Sequence, residues 1–424
     1  MKLERRHSRW YELILFNGLF QFLLGFAVVV LLPNWIRWED ALLIWPLKPT
    51  QLNTLLANSS AYVFSFLILY KFKRYPGTRS LPFIIPTLLV AWLLVFAVFL
   101  FLREEAYARQ VLFYSFMLAN VWAFLSFFVG RRYLKPKLAL VPFGRAVELG
   151  ESVPLAFTLL DRPNLEGRRY DAVVADLHSE ALPDDWEYFL ASCTLAGIPV
   201  FHYQQVKESL TGRVQINHLS ENILGSLQPS AFYSGVKRLV DIFAVFMLLP
   251  LLLPIMLLTA IAILIDSRGG VFYTQQRMGY RGKPFTMYKF RSMYTNIKGK
   301  DFTEGEEDPR ITRVGSFIRK YRIDELPQIL NILKSEMSFI GPRPESVELS
   351  NWYEKDVAFF SYRHIVRPGI SGWAQVEQGY AAEVEGMNIK LQYDFYYIKH
   401  FSLWLDVLIV VKTIRTILTG FGAR

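Results

Sequence analysis

The sequence predicts a multi-domain membrane protein: an N-terminal four-helix transmembrane bundle, a small Rossmann-like α/β domain, and a C-terminal α/β domain with a re-entrant membrane helix. Three observations predict it. Four apolar runs of bilayer length fill the first third of the chain. A soluble texture follows, in which short apolar strands alternate with helical pattern. A fifth apolar run, interrupted by two prolines, precedes a charge-rich segment that runs to the C-terminus. The boundaries fall at residues 1–132, 133–234 and 235–424.

The spans of the bundle are Tyr11–Leu32, Asn53–Tyr70, Pro82–Leu102 and Gln110–Val129. Lys2, Arg5, Arg6 and Arg9 precede the first. Lys71, Lys73, Arg74 and Arg79 separate the second from the third, and Arg131, Arg132, Lys135 and Lys137 follow the fourth. The other two loops carry Glu39, Asp40, Glu104 and Glu105. Positive charge stays on the cytoplasmic side, so both ends of the bundle are expected there. No span has a central charged residue, which argues against a transport path and for an anchor or assembly surface. The formal net charge of +10 sits beside apolar runs, as suits an anionic membrane surface rather than nucleic acid. The single cysteine, Cys193, excludes an intrachain disulfide and a cysteine zinc cluster. No signal-peptide cleavage pattern is present, so the first run reads as a retained anchor.

In the middle domain, Leu138–Val141, Ala172–Ala175 and Ile198–Phe201 read as buried strands and Trp186–Ala196 as a helix. The alternation implies a largely parallel sheet and raises the possibility of a bound dinucleotide. The first strand, however, is followed by PFGRAVELGE and not G-x-G-x-x-G. A structural or oligomerising role stands beside nucleotide binding.

The fifth run, within residues 237–266, contains Pro250 and Pro254 near its middle, where each removes a helix hydrogen bond. Lys237 and Arg238 precede it; Arg268, Arg277, Arg281, Lys283, Lys289 and Arg291 follow. A crossing would put one basic group outside. A broken helix that enters and leaves on the cytoplasmic side avoids this; a kinked true span is the other reading. Beyond it, Val271–Gln275 and Phe285–Tyr288 read as strands around a turn at Arg281-Gly282. Lys289 and Arg291 would share one strand face, suited to phosphate or to solvent. Thr295 to Asp308 reads as a polar loop. Phe401 to Leu418 reads as a helix lying in the membrane interface or packing on the core.

The stretch of greatest chemical content is RKYRIDELPQILNILKSEMSFIGPRP, Arg319 to Pro344. Ile323, Leu326, Ile329, Leu330 and Leu333 have helical spacing, which puts Asp324 and Glu325 at a helix start, able to reach one site. Pro327 is tolerated in a first turn. Gly341 permits a sharp turn, and Pro342 and Pro344 stiffen the backbone around Arg343. A carboxylate pair near a rigid guanidinium suits phosphate chemistry; each feature alone is also an ordinary cap or turn.

This stretch, with KRLVD (Lys237 to Asp241), QQRMG (Gln275 to Gly279), YKFRSM (Tyr288 to Met293) and RHIVRPGISGWAQV (Arg363 to Val376), resembles the bacterial monotopic phosphoglycosyl transferases, also called polyprenyl-phosphate hexose-1-phosphate transferases. The resemblance covers Lys237 to the C-terminus, which implies that residues 235–424 are the catalytic domain. It implies the re-entrant helix, with Pro254 at its break and Pro250 an additional proline. It also implies transfer of a sugar-1-phosphate from a UDP-sugar to undecaprenyl phosphate, releasing UMP, in exopolysaccharide, capsule or O-antigen synthesis. In that reading Asp324 is nucleophile and ligand of Mg2+, and Glu325 assists proton transfer. Arg343, Lys289, Arg291 and Arg319 contact phosphate, and Gly369, Gly372, Trp373 and Gln375 lie near the site. The expected location is the bacterial inner membrane, among its lipids, with the catalytic domain cytoplasmic; the extra N-terminal regions are compatible with a homodimer. A non-catalytic assembly or regulatory protein of polysaccharide synthesis is the alternative.

Overall fold

The computed structural model describes residues 6, 9–39, 46–72, 75, 84–101, 107–133, 136–152, 157–215, 228–295, 308–378 and 384–419. Lys2, Arg5, Asp40, Lys73, Arg74, Arg79, Pro82, Leu102, Glu104, Glu105, Lys135 and most of the loop Thr295 to Asp308 lie outside them. The chain divides into two compact units, Met1–Gly212 and Arg213–Arg424.

The first unit opens with a short helix, α1 (Trp10–Leu15), and then α2 (Gly18–Trp38). The first long apolar helix therefore begins later than the sequence suggests. Asn17 explains the shift: its side chain accepts from Leu19 N at 2.8 Å and Phe20 N at 3.3 Å, capping a new helix. Within α2 a π-helical turn, Ala27–Leu31, precedes Pro33, whose ring has no N–H for the ladder. Helices α3 (Pro49–Phe72), α4 (Ile84–Phe101) and α5 (Arg109–Tyr133) follow. α2, α3 and residues 109–130 of α5 are long and apolar enough to cross a membrane, and α4 is a shorter apolar helix. Val29, Val30, Tyr62, Leu88 and Ala119 form the buried seam of this bundle. Arg6 donates to the carbonyl of Tyr133 at 3.3 Å, so the chain before α1 meets the end of α5.

The α/β part contains β1 (Leu138–Leu140), α6 (Ala146–Ser152), β2 (Phe157–Leu159), β3 (Ala172–Ala175), α7 (Asp184–Leu195), β4 (Val200–His202) and α8 (Tyr203–Thr211). Its sheet is wholly parallel, in the order β2-β1-β3-β4. The strand order reverses between β1 and β3, where open α/β sheets hold ligands. Here Asp176 fills that place. Its Oδ2 accepts from Arg145 N at 3.0 Å, and a Cβ on Gly144 (φ +61°) would lie 2.5 Å from the same oxygen. An anion placed there would meet this carboxylate. β2 and α6 escape sequence analysis because three-residue strands and seven-residue helices carry too little periodicity.

The second unit begins where Val214 N donates to Gln392 O at 3.0 Å. Its long helix α9 (Ala231–Asp266) is also apolar and long enough to cross a membrane. Helical structure continues through Pro250 and Pro254, so the expected break is no gap in the helix. One face of α9 packs on the rest of the unit along most of its length. Val245, Leu249 and Leu252 meet Phe285, Met287, Ile329 and Ile332; further on, Met256, Ala260 and Ile263 meet Phe290 and Ile318. The opposite face exposes Phe243, Phe246, Leu251, Leu257, Leu258 and Ile265. Both ends are tied to the same body. Lys237 Nζ is 2.5 Å from Asp406 Oδ2, and Val314 N donates to Asp266 Oδ2 at 3.0 Å.

Strands β5 (Phe272–Met278) and β6 (Pro284–Phe290) form an antiparallel hairpin, each longer than expected. Its turn uses two consecutive left-handed residues, Arg281 (φ 54°) and Gly282 (φ 69°), which match the twist of the strands. α10 (Arg313–Lys320) is followed by a 3-10 segment, Ile323–Gln328, and α11 (Ile329–Leu333). The helix expected from Ile323 is therefore 3-10 in its first turns, around Pro327. β7 (Ser338–Ile340), α12 (Val347–Asp356), β8 (Gly369–Ser371), α13 (Trp373–Glu377), α14 (Val384–Lys399) and α15 (Leu403–Thr419) complete the unit. In α15, Leu405, Leu408 and Ile409 have no exposure, so this helix is part of the core. Leu403, Val410 and Ile414 remain exposed on its other side.

Candidate active site

The hairpin and α11, which continues directly from the 3-10 segment, are held together by Asn331, which has no solvent exposure. Its Oδ1 accepts from Tyr288 N at 3.2 Å, while Nδ2 donates to Thr286 O at 2.7 Å and to Glu336 Oε2 at 2.6 Å. A buried amide with its capacity used in three directions fixes register as well as distance. It sets Lys289, at the end of β6, against Glu325. Sequence analysis passed over Asn331, although a polar residue inside an apolar helical run was a usable signal.

Asp324 and Glu325 are both buried but differ in surroundings. Glu325 Oε1 accepts from Arg343 at 2.8 Å and Lys289 at 3.3 Å, and Arg322 lies 3.7 Å away. Burial alone would raise the proton affinity of Glu325; Arg343 and Lys289 outweigh it and hold the carboxyl well below its ordinary range. Asp324 goes the other way. Burial, reinforced by the neighbouring Glu325 charge, pushes it up to about 6. Its Oδ1 is buried without a hydrogen-bond partner among the described residues. Burial lowers Lys289, with Glu325 pulling it back, and Glu325 raises Arg343 above its already high value.

Arg343 is held through its backbone. Arg363 donates to the Arg343 carbonyl at 2.9 Å, and Arg277 donates to the Pro344 carbonyl at 3.1 Å. Arg363 is itself paired with Asp394 at 2.8 Å and, at 3.5 Å, with Glu345, which Lys390 also contacts. Burial works against the Glu345 charge, but Lys390 and Arg363 bring its pKa down to about 2. None of Glu345, Arg363, Lys390 or Asp394 was a sequence candidate, since pairs this distant in the chain have no local signal. Gly341 serves differently from expectation. Its φ is not positive, and the constraint is close backbone packing between β7 and β8. A Cβ on Gly341 would lie 2.3 Å from Arg367 O, one on Gly369 2.1 Å from Gly341 N, and one on Gly372 2.3 Å from Gly341 O. Trp373 is buried against Tyr396, and the Nε2 of Gln375 reaches Ile370 O at 3.4 Å.

The other predicted residues divide. Arg319, in the last turn of α10, lies within electrostatic range of Asp324. Burial lowers its proton affinity, and Asp324 and Asp308 raise it. Arg291 is placed elsewhere. Its guanidinium donates to Arg268 O at 2.6 Å and Ser267 O at 2.8 Å, satisfying carbonyls just beyond α9. Lys289 and Arg291 therefore do not share a basic face, because the strand ends at Phe290 and the end of the long helix captures Arg291. Lys237 and Arg238 do not form a free basic collar either. Lys237 is buried on Asp406, which also accepts from Tyr233 and Tyr397, and Arg238 donates to Ile332 O at 2.5 Å and Leu333 O at 3.0 Å. Pro250 and Pro254 lie in mid-helix, far from the carboxylates in sequence.

The donor set fits a hard divalent ion such as Mg2+. Asp324 presents an unpartnered buried carboxylate oxygen, the ligand type Mg2+ prefers. The described residues hold no group of three or more His, Cys, Asp or Glu side chains that would cage a metal alone. An ion at Asp324 would draw its remaining ligands from phosphate and water, as Mg2+ sites on phosphate substrates do.

Residues 232–420 match the family model described as bacterial sugar transferase. The chain is 49% identical over 427 residues, covering 100% of both proteins, to a UDP-N-acetylgalactosamine-undecaprenyl-phosphate N-acetylgalactosaminephosphotransferase of Aeromonas hydrophila. It is 41% identical over 193 residues to a UDP-glucose:undecaprenyl-phosphate glucose-1-phosphate transferase of Xanthomonas campestris pv. campestris, covering 45% of this chain and 40% of that one. A protein of the same name from Escherichia coli K12 is 39% identical over 188 residues, covering 43% and 40%. The first similarity runs the full length, bundle and α/β domain included, and the residues matched by the family model hold the carboxylate pair and its cations. The chain belongs to the bacterial sugar transferase family.

Proposed function

We propose that this protein is an undecaprenyl-phosphate sugar-1-phosphate transferase that uses a UDP-sugar and works through a covalent intermediate on Asp324. The observation that carries the reading is the asymmetry of the pair. Glu325 takes the cations, and Asp324 keeps an unpartnered oxygen in a buried site. An unpaired, desolvated carboxylate is a better nucleophile than a paired one. Its oxygen attacks the β-phosphorus of the donor, the Oδ–P bond forms, the bridging P–O bond breaks, and UMP leaves with the electron pair. An oxygen of undecaprenyl phosphate then attacks the same phosphorus, the Oδ–P bond breaks, and the aspartate is regenerated.

Arg343, Lys289 and Arg319 are assigned to the donor diphosphate, with Mg2+ at Asp324 neutralising its charge when bound. Arg291 is reassigned to holding the end of α9. Glu325 begins as the counter-ion that stores Arg343 and Lys289. When the diphosphate draws those cations off, burial raises its proton affinity, and it can assist proton transfer at the acceptor step.

Residues 235–424 carry the chemistry, residues 1–132 anchor the chain, and residues 133–234 have a structural or assembly role that a homodimer would use. Both ends of α9 bind one body while its outer face is apolar, which supports re-entry from the cytoplasmic side of the inner membrane rather than a crossing. The pathway served is lipid-linked assembly of an exopolysaccharide, capsule or O-antigen. The name of the full-length relative makes UDP-N-acetylgalactosamine the first donor to assay.

The deciding experiment incubates the protein with labelled UDP-sugar and Mg2+ but no acceptor. A burst of UMP and label on Asp324 are expected, both lost in Asp324→Asn. Sequential kinetics with no trapped label would mean direct attack by the acceptor. A protein that releases no UMP from any UDP-sugar would be a binding or assembly protein.

A further inference from the structure

We infer that Arg322 is the residue that receives the phosphate of the lipid acceptor, a polyprenyl phosphate monoester, at a membrane-facing corner of the site. The inference rests on the transfer reaction proposed above and adds a residue to it.

Three cations surround Glu325 Oε1, and they are not equivalent. Arg343 and Lys289 are the nearer two, at 2.8 and 3.3 Å, and Lys289 is the more enclosed. Arg322 stands farthest, at 3.7 Å, and its side chain keeps 39% of its exposure. It therefore faces both the carboxylate pair and the outside. Its backbone is also unusual. Arg322 follows the end of α10 with φ 58° and ψ 21°, the left-handed conformation that glycine normally supplies after a helix. A non-glycine residue there carries a steric cost. Glycine would make the turn without that cost, but only arginine brings a guanidinium to Glu325.

The surroundings indicate which phosphate it meets. α10 packs on the C-terminal half of α9, through Ile318 and Ile263 and through Val314 N on Asp266. On this corner Phe317 is 58% and Tyr321 46% exposed, with their rings 4.9 Å apart. The end of α9 adds exposed Leu264 and Ile265. Exposed aromatic and aliphatic side chains beside basic ones make an interfacial surface, apolar on one side and charged on the other. A water-soluble nucleotide gains nothing from that surface. A lipid phosphate must keep its chain in an apolar layer while its headgroup reaches Asp324, and Arg322 lies on that route. A phosphate monoester carries about −1.5 to −2 charge and offers oxygens for a guanidinium fork.

The test uses full-length protein in detergent micelles, with Arg322→Gly and Arg322→Lys. Glycine suits the left-handed turn, so the melting temperature of Arg322→Gly should not fall. With a UDP-sugar that the wild type turns over, Arg322→Gly should lower kcat/KM for undecaprenyl phosphate at least tenfold. That loss should exceed the loss in kcat/KM for the UDP-sugar by five-fold or more, and Arg322→Lys should recover part of it. Equal losses for the two substrates, or a larger one for the UDP-sugar, would overturn the assignment. Equilibrium dialysis with farnesyl phosphate separates this idea from the transfer reaction itself. Weakened binding in Arg322→Gly supports the acceptor role even if no UDP-sugar is turned over, and unchanged binding refutes it.

Discussion

Two loops of this molecule, one in each unit, bring a carboxylate to a close turn, and they use it in opposite ways. At the reversal of the parallel sheet, Asp176 accepts from Arg145 N and His178 N and closes the position where a ligand anion would sit. In the second unit, Glu325 is ringed by Arg343, Lys289 and Arg322, while Asp324 keeps a buried oxygen with no hydrogen-bond partner among the described residues. The first loop is electrostatically settled and stabilises its domain. The second is unbalanced, with more cations than its paired carboxylate needs and a desolvated one beside them. Folding alone rewards the first arrangement. The second costs stability and is sustained by the network behind it, which suits a site that must accept a polyanion.

Arg343→Ala should break the unbalanced side most severely, lowering turnover by about 10²–10³-fold through loss of electrostatic stabilisation. Arg343→Lys should be only partly active, since an ammonium lacks the planar fork. Steady-state UMP release checks both. Gly341→Ala should come next, because the new Cβ meets the Arg367 carbonyl at 2.3 Å. Parting β7 from β8 displaces Arg343, so activity and melting temperature should fall together. For Asp324→Asn, activity and stability should separate. The folded protein raises this carboxyl to about 6, so the wild type loses stability as pH rises from about 4 to 6 and does not regain it above. The asparagine variant escapes that loss. At pH 8 it should be more stable by up to about 3 kcal/mol, with no gain below pH 4, as denaturant titrations would show. Its wild-type counterpart should lose UMP release as pH falls through 6, where the nucleophile protonates. The smallest effect on activity should come from Asp176→Ala, which removes the acceptor for two backbone donors. It should cost about 1–3 kcal/mol in the first unit and leave transfer within two-fold of wild type. A large loss of transfer would mean that the α/β domain takes part in the chemistry.

The local features were legible in the chain because their causes are local. Apolar run length marked the four bundle helices; the first is shifted toward the C-terminus, Gly18–Trp38 instead of Tyr11–Leu32, with its start set by the cap at Asn17, and the second begins earlier, at Pro49. The carboxylate pair and Arg343 between its prolines were visible as residue types in one short span, and Lys289 in a separate one; the structure brings them together. Arg291 was read as a partner of Lys289 because alternation on a strand was the only guide. No sequence pattern announces that two carbonyls beyond a helix 23 and 24 residues away will claim its guanidinium.

By itself, then, the sequence determined the membrane-length helices, the parallel α/β texture, and the identity of the acidic pair and its nearest cations. These follow from hydropathy, period and the chemistry of neighbouring residues. Only the tertiary structure decided that Asp176 closes its own loop, that Asn331 sets the hairpin against α11, and that Glu325 rather than Asp324 holds the cations. It also decided that Gly341 is needed for backbone contact and not for a turn. Burial, ion pairing and backbone approach join residues far apart in the chain, and the free energy of a charge depends on which of them surround it once the chain is folded.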